Sequence, residues 1–173
     1  MRPLLSAFRV GSAGLAAALS LGLAGNALAA ADPCMRPVEK TAFDLAGLKS
    51  ELMVTAISCQ AEEKYNSFVG RFRSDLQGGE RALNAYFNRT SGRYAQKAHD
   101  DYITSLANTQ SQDGLQQGTL FCDKHLPMFN DVLALKDSKE LTAYAAGQPL
   151  VQAIAVVECP LPPVKKLKTA ATK

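Results

Sequence analysis

The regular spacing of apolar residues limits this chain more than any other feature of its sequence. Between residues 54 and 76 an apolar side chain recurs every three or four positions, which is the period of one helical face. The stripe consists of Val54, Ile57, Ala61, Tyr65, Phe68, Phe72 and Leu76. Stripes of the same period follow later in the chain, so an all-α fold is predicted.

Three long helices and a short fourth are predicted. The first spans about residues 44–76, with Asp44 as its N-cap and Gly78 and Gly79 as its stop. The second spans about residues 80–110. Because an interior glycine costs about 1 kcal/mol relative to alanine, Gly92 splits this helix or weakens it, and both readings stay open.

The third helix is predicted to begin near Asp113 and to kink at Pro127, which lacks an amide donor. Asp137 and Glu140 form the capping pattern that starts the short fourth helix, which ends at Gly147. Residues 150–157 show no clean period and are read as an extended segment lying over the bundle. Short turns between long helices then give an antiparallel helical bundle with terminal arms.

The chain is divided into three parts by composition. Residues 1–30 have the features of a cleaved secretory signal peptide: a positive start, an apolar stretch and small residues before the cleavage point. Residues 31–160 form the predicted helical domain, and no segment in it has the roughly 18 apolar residues needed to span a bilayer. Residues 161–173 are a basic tail with too little apolar surface to fold, so disorder is expected.

The charge of the chain comes mainly from its two ends. The full sequence has a formal net charge of +3, but residues 31–160 contain 13 basic and 16 acidic residues. A nucleic-acid-binding face is therefore not expected, since it needs a basic stripe on the folded part. The tail lysines Lys165, Lys166 and Lys168 are candidates for contact with an anionic envelope polymer.

Four cysteines lie after the predicted leader, and an even number in an exported chain indicates two disulfides. Three pairings are possible. Cys59 with Cys122 is favoured because both lie on apolar helical stripes. Cys34 with Cys159 is favoured because both lie in arms flanked by prolines. These bridges would tie the terminal arms to the bundle.

Two histidines and their acidic neighbours are the candidates for a chemical site. Antiparallel packing of the second and third helices puts His125 level with His99, with Asp101 nearby. Imidazole and carboxylate groups at one height can bind a divalent metal or act as an acid and base pair. In the alternative reading, Lys97 pairs with the acidic residues at helical spacing, and the histidines are ordinary boundary residues.

Two segments, residues 43–56 and 98–104, resemble a family of small exported helical proteins of alphaproteobacteria whose function is uncharacterised. The resemblance covers most of residues 40–159. It implies a periplasmic, helical, disulfide-bonded protein and carries over no catalytic residue.

These observations favour a non-enzymatic periplasmic protein that binds or scaffolds an envelope component. The chain has no nucleophile motif and no phosphate-binding glycine loop, and no cofactor is expected. Its partner would be an envelope protein or an anionic polymer, and Tyr86 is the candidate for an exposed contact. The alternative is a metal-binding protein or metal-dependent enzyme that uses His99, Asp101 and His125.

Overall fold

The computed structural model describes residues 33–160. The predicted leader, residues 1–30, and the predicted tail with Lys165, Lys166 and Lys168 lie outside the described residues. Within them, the chain forms seven α-helices and one 3₁₀ turn. These are α1 (Pro37–Cys59), α2 (Glu62–Arg71), α3 (Arg73–Ser91), the 3₁₀ turn (Gly92–Tyr94), α4 (Ala95–Gln117), α5 (Leu120–His125), α6 (Pro127–Ala134) and α7 (Ser138–Gly147). The predicted all-α bundle is confirmed.

The first predicted helix has different ends in the structure. α1 begins at Pro37, whose fixed φ suits the first helical position, and the Arg36 amide donates to Glu39 Oε2 at 2.8 Å. Asp44 is not an N-cap; it pairs with Lys40 one turn earlier. The helix ends at Cys59 because Gln60 adopts a left-handed conformation, with φ of 55°.

The predicted stop at Gly78 and Gly79 is wrong, since both residues lie inside α3. Packing of α3 against α1 outweighs the low helix propensity of two glycines, and Gly79 lies over Leu45 of α1. The chain breaks instead at Gly92, which ends α3 with φ of 52°. Of the two readings that the sequence left open at this glycine, the structure therefore has the split.

Of the remaining predicted boundaries, one is wrong and two are confirmed. The predicted start of a helix near Asp113 is wrong, because α4 continues through Asp113 to Gln117, and Gly118 caps its end. Pro127 separates α5 from α6, as its missing amide predicts. The predicted cap of α7 is confirmed: Asp137 Oδ1 accepts from the Glu140 amide at 2.9 Å, and Glu140 accepts from the Lys136 amide at 2.7 Å.

Both favoured disulfides are present, Cys34 with Cys159 and Cys59 with Cys122. The first joins the two arms, which also meet through a short parallel bridge between Met35 and Glu158. Residues 148–160 form no helix, and Ala153, Ile154 and Val156 pack on the bundle. The extended arm predicted for residues 150–157 is thus confirmed.

The bundle has two apolar cores that share α1. The core around the first half of α1 is rich in aromatic residues, with Phe43 in edge contact with Tyr86 and Tyr102 at ring distances of 4.9 Å. The core around its second half is formed largely by aliphatic residues and phenylalanines of α2, α6 and α7. None of the helices between residues 33 and 160 is long and apolar enough to cross a membrane.

Candidate functional site

The structure gives the two histidines different partners. His99 on α4 is buried, its Nε2 lies 2.9 Å from Glu80 Oε1 on α3, and its ring meets Phe87. His125 at the end of α5 has its Nδ1 2.9 Å from Glu51 Oε1 on α1. Asp101 is exposed and pairs with Lys97 one helical turn earlier, which is the alternative that the sequence left open.

A metal site at these residues finds no support in the packed bundle. Across residues 33–160, no group of three or more histidine, cysteine, aspartate or glutamate side chains is arranged to hold a metal ion. His99, Asp101 and His125 therefore do not come together as a ligand set.

Tyr86 is not an exposed contact, so that prediction is wrong. The residue is 6% exposed, and its hydroxyl donates to the carbonyl of Pro33 at 3.0 Å. The Arg89 guanidinium lies over the Tyr86 ring and donates to the carbonyl of Cys34 in the N-terminal arm. Arg89 also binds Glu39, at 2.7 Å from Oε2, so these residues lock the arm to α1 and α3.

An apolar cavity of about 90 Å³ opens between α1, α3 and α4. Small side chains on one face of α1 leave this space, because Ala42, Ala46 and Ser50 follow each other at four-residue intervals. Gly79 of α3 adds to it from the opposite side. The larger wall residues are Leu45, Met53, Tyr65, Leu76, Leu83, Ile103 and Leu106.

Three polar side chains give the cavity its chemical character. Ser50 lines the wall, and its hydroxyl oxygen is buried without a hydrogen-bond partner among the described residues. Lys49 is exposed at the opening and forms no ion pair with any residue in 33–160. Glu80 lies at the same opening and contacts His99. An apolar space with a few polar groups at its edge is typical of a binding pocket.

A second, more polar cleft of about 200 Å³ lies on another side of α1. Four of its lining residues are titratable: Glu51 of α1, Asp113 of α4, and Lys124 and His125 of α5. The other lining residues are Met128, Gln148, Pro149, Leu150 and Val151, which belong to α6 and the start of the C-terminal arm.

Packing around His125 fixes its position in the cleft. Its ring stacks on Phe121 at a centroid distance of 4.4 Å. Phe121 in turn lies against Gly114 of α4, where a Cβ atom would come within 3.0 Å of the ring. The Cys59–Cys122 disulfide joins α1 to α5 one turn before His125. The absence of a side chain at Gly114 thus allows the α4–α5 contact that holds the imidazole.

Burial disfavours a charge on both members of the Glu51–His125 pair. Burial of the Glu51 side chain, which is 7% exposed, raises its pKa to about 7, and the nearby Asp113 charge adds to this shift. Burial lowers the pKa of His125, against the opposing influence of Asp113. Since Nδ1 of His125 has no other hydrogen-bond partner in the described chain, a protonated Glu51 can satisfy it as donor.

The sequence carried partial signals for both sites. The small residues Ala42, Ala46 and Ser50 share one helical face, and Glu51 is the single carboxylate in the apolar run from Leu45 to Ile57. A charged residue in such a run needs a partner or a shifted pKa. Its partner on α5 could not be identified because that contact depends on helix breaks that the sequence analysis placed elsewhere.

Comparison with protein-family models, curated proteins and solved structures found no match to this chain. The assignment of function therefore depends on the geometry of the cavity and the cleft.

Proposed function

We propose that this protein is a non-enzymatic binding module of the bacterial periplasm, and that its apolar cavity holds one apolar side chain of an envelope protein. An acidic group next to that side chain pairs with Lys49. The single observation that carries the proposal is the apolar cavity, bordered by the unpartnered Ser50 hydroxyl and by a lysine that has no ion pair among the described residues.

The size of the cavity suits one anchoring side chain. Burying one apolar side chain such as leucine in this cavity of about 90 Å³ is worth roughly 2 kcal/mol. Anchors of this kind, seated in a pocket, supply much of the energy of many protein interfaces. A value of 2 kcal/mol is equivalent to about thirtyfold in affinity.

The polar groups of the cavity favour binding over catalysis. Ser50 Oγ makes no hydrogen bond to a base, whereas an activated serine nucleophile requires one. Lys49 at the opening is complementary to an acidic group, and such pairing at a rim chiefly sets specificity and association rate.

The covalent structure agrees with an oxidising compartment. Two disulfides, and no free cysteine in the described residues, are typical of exported proteins. Export to the periplasm and weak attachment through Lys165, Lys166 and Lys168 to an anionic envelope polymer are further parts of this proposal, at about 1 kcal/mol for each lysine near a charged surface.

Site-specific crosslinking tests the proposed function. A photoreactive phenylalanine replaces Ile103, which lines the cavity and is 38% exposed, and the full chain is irradiated in intact cells. We expect a discrete adduct in which the attached partner residue is apolar and lies next to an acidic residue. Ala46→Leu, which fills the cavity, should reduce the adduct about thirtyfold, and Lys49→Glu should also weaken it.

Matched controls make the result decisive. The same photoreactive residue at Tyr94, which is 58% exposed on another surface, should not give this adduct, and Lys97→Glu should leave the Ile103 adduct unchanged. Circular dichroism melting shows whether Ala46→Leu is folded. An adduct that persists in a folded Ala46→Leu variant, or a partner site without an acidic neighbour, would overturn the proposal.

A further inference from the structure

The polar cleft brings together opposite charges that do not neutralise each other. Asp113 on α4 and Lys124 on α5 both line it, and neither forms an ion pair with any residue in 33–160. Asp113 accepts one hydrogen bond, from Gln117 at 2.8 Å to Oδ2. Both charges act on His125, since the carboxylate of Asp113 raises its pKa and the ammonium group of Lys124 lowers it. The cleft therefore carries one negative and one positive group close to the same imidazole.

The base of the cleft adds a buried polar pair. Glu51 as a whole residue is 5% exposed. Among the described residues, the only polar contact of its carboxyl group is with His125. Nδ1 of His125 is likewise buried without an aligned hydrogen bond. A ligand that enters the cleft meets groups able to donate or accept a proton at its inner end.

The remaining wall is apolar and the space is small. Met128, Leu150 and Val151 line one side, and the last two belong to an arm without regular secondary structure. The volume of about 200 Å³ is below the roughly 300 Å³ of pockets that hold drug-sized ligands, so the cleft suits a smaller occupant.

We propose that this cleft is a binding site for a small zwitterion, a free α-amino acid with a short aliphatic side chain. Its ammonium group pairs with Asp113, its carboxylate pairs with Lys124, and its side chain contacts Met128, Leu150 and Val151. The site is separate from the apolar cavity, because Glu51 lines the cleft whereas the preceding Ser50 lines the cavity. The proposal therefore does not depend on the protein-binding function proposed above.

Calorimetry with three related probes tests this site on the full, disulfide-bonded chain. The probes are L-valine, isovalerate, which lacks the ammonium group, and isobutylamine, which lacks the carboxylate. We expect L-valine to bind at least about tenfold more tightly than either analogue, since charge-assisted hydrogen bonds are each worth about 1.5 kcal/mol or more.

Two charge-removing variants then assign each contact. Asp113→Asn should abolish the preference for L-valine over isovalerate, and Lys124→Gln should abolish the preference over isobutylamine. Lys124→Arg, which keeps the charge, should retain the wild-type preference over isobutylamine. Asp101→Asn and Lys97→Gln change an exposed pair of the same chemistry elsewhere and should leave binding unchanged.

The contrary outcomes are equally specific. The proposal fails if the wild-type chain binds either isovalerate or isobutylamine as tightly as it binds L-valine. It also fails if Asp113→Asn and Lys124→Gln, shown by circular dichroism to be folded, keep the wild-type preferences, or if the control variants lose binding to the same extent.

Discussion

Two glutamate–histidine contacts lie beside the two sites, and they differ in the exposure of the acid. In each, a carboxylate oxygen lies 2.9 Å from an imidazole nitrogen. The Glu80 side chain at the opening of the cavity is 42% exposed, whereas the Glu51 side chain at the base of the cleft is 7% exposed. Water reaches the Glu80 carboxyl group freely, whereas little of the Glu51 side chain is open to solvent, so a charge on Glu51 is poorly solvated.

The difference shows that distance alone does not define the chemistry of such a pair. At the cavity, the acid of the contact is open to solvent and lines the same opening as Lys49. At the cleft, burial raises the pKa of Glu51 to about 7 and lowers the pKa of His125, so a charge is disfavoured on both groups. Variants that change the burial or the position of either pair should alter this contrast, and the disulfide variants should have the largest effect.

Loss of the Cys59–Cys122 bridge should weaken the buried pair together with the whole fold. The bridge closes a loop with a sequence separation of 63, for which chain entropy gives about 4 kcal/mol of stability. Cys59→Ser/Cys122→Ser should lose about this amount in urea unfolding, and it should also reduce the pH dependence of stability that Glu51 causes, because α5 is no longer tied to α1.

Removing the other bridge is the matched control. Cys34→Ser/Cys159→Ser opens a loop with a separation of 125 and should cost about 5 kcal/mol by the same relation. This variant should keep the Glu51 pH dependence, since the bridge joins the arms and not α1 to α5. An equal loss of pH dependence in both variants would contradict a local link between the Cys59–Cys122 bridge and the cleft.

Glu51→Gln should stabilise the protein at alkaline pH. The folded-state pKa of Glu51 is raised from 4.5 to about 7, so its contribution is fully present below the unfolded pKa and is lost as pH rises through the folded value. Between pH 5 and pH 8.5 the wild-type chain should lose roughly 2 to 3 kcal/mol of unfolding free energy relative to Glu51→Gln. Urea unfolding at both pH values measures the difference.

Titration of His125 changes stability with pH in the opposite direction to Glu51. Because both the wild-type chain and Glu51→Gln contain His125, its contribution cancels to a first approximation when the two are compared. Its pKa is lowered, so the stability it contributes is lost as pH falls through the folded value. Glu80→Gln serves as the exposed counterpart and should change stability by less than about 1 kcal/mol at either pH, as expected for a contact in water. A larger effect at Glu80 than at Glu51 would refute the role assigned to burial.

Substitutions at Gly79, inside the helix that carries Glu80, and at Gly92, which ends that helix, have smaller expected effects. Gly79 lies inside α3, and an added Cβ would meet Leu45 at an ordinary 3.5 Å, so Gly79→Ala should stabilise the protein by about 1 kcal/mol. Gly92 ends the same helix with φ of 52°, so Gly92→Ala should destabilise it by about 1 kcal/mol or more. Thermal unfolding measures both changes. A lower melting temperature for Gly79→Ala together with a higher one for Gly92→Ala would contradict these two placements.

The sequence predicted the helical class, both disulfides and the Asp137 cap because each depends on local spacing or on a small set of alternatives. It did not predict the break at Gln60, since nothing in that residue type signals a left-handed conformation. Gly78 and Gly79 gave a false stop because packing on α1 outweighed their low helix propensity. These two errors shifted the helix register, so the contacts of His99 with Glu80 and of His125 with Glu51 were missed.

Titration of the Glu51 carboxyl group is the most direct test of the claim that burial disfavours a charge on this pair. Carbon-13 NMR of glutamate side-chain carboxyls follows each group with pH, and the signal lost in Glu51→Gln identifies the residue. We predict a midpoint of about 7 for Glu51. A midpoint near the ordinary glutamate value of 4.5 would show that the carboxylate is charged at neutral pH and would contradict the account.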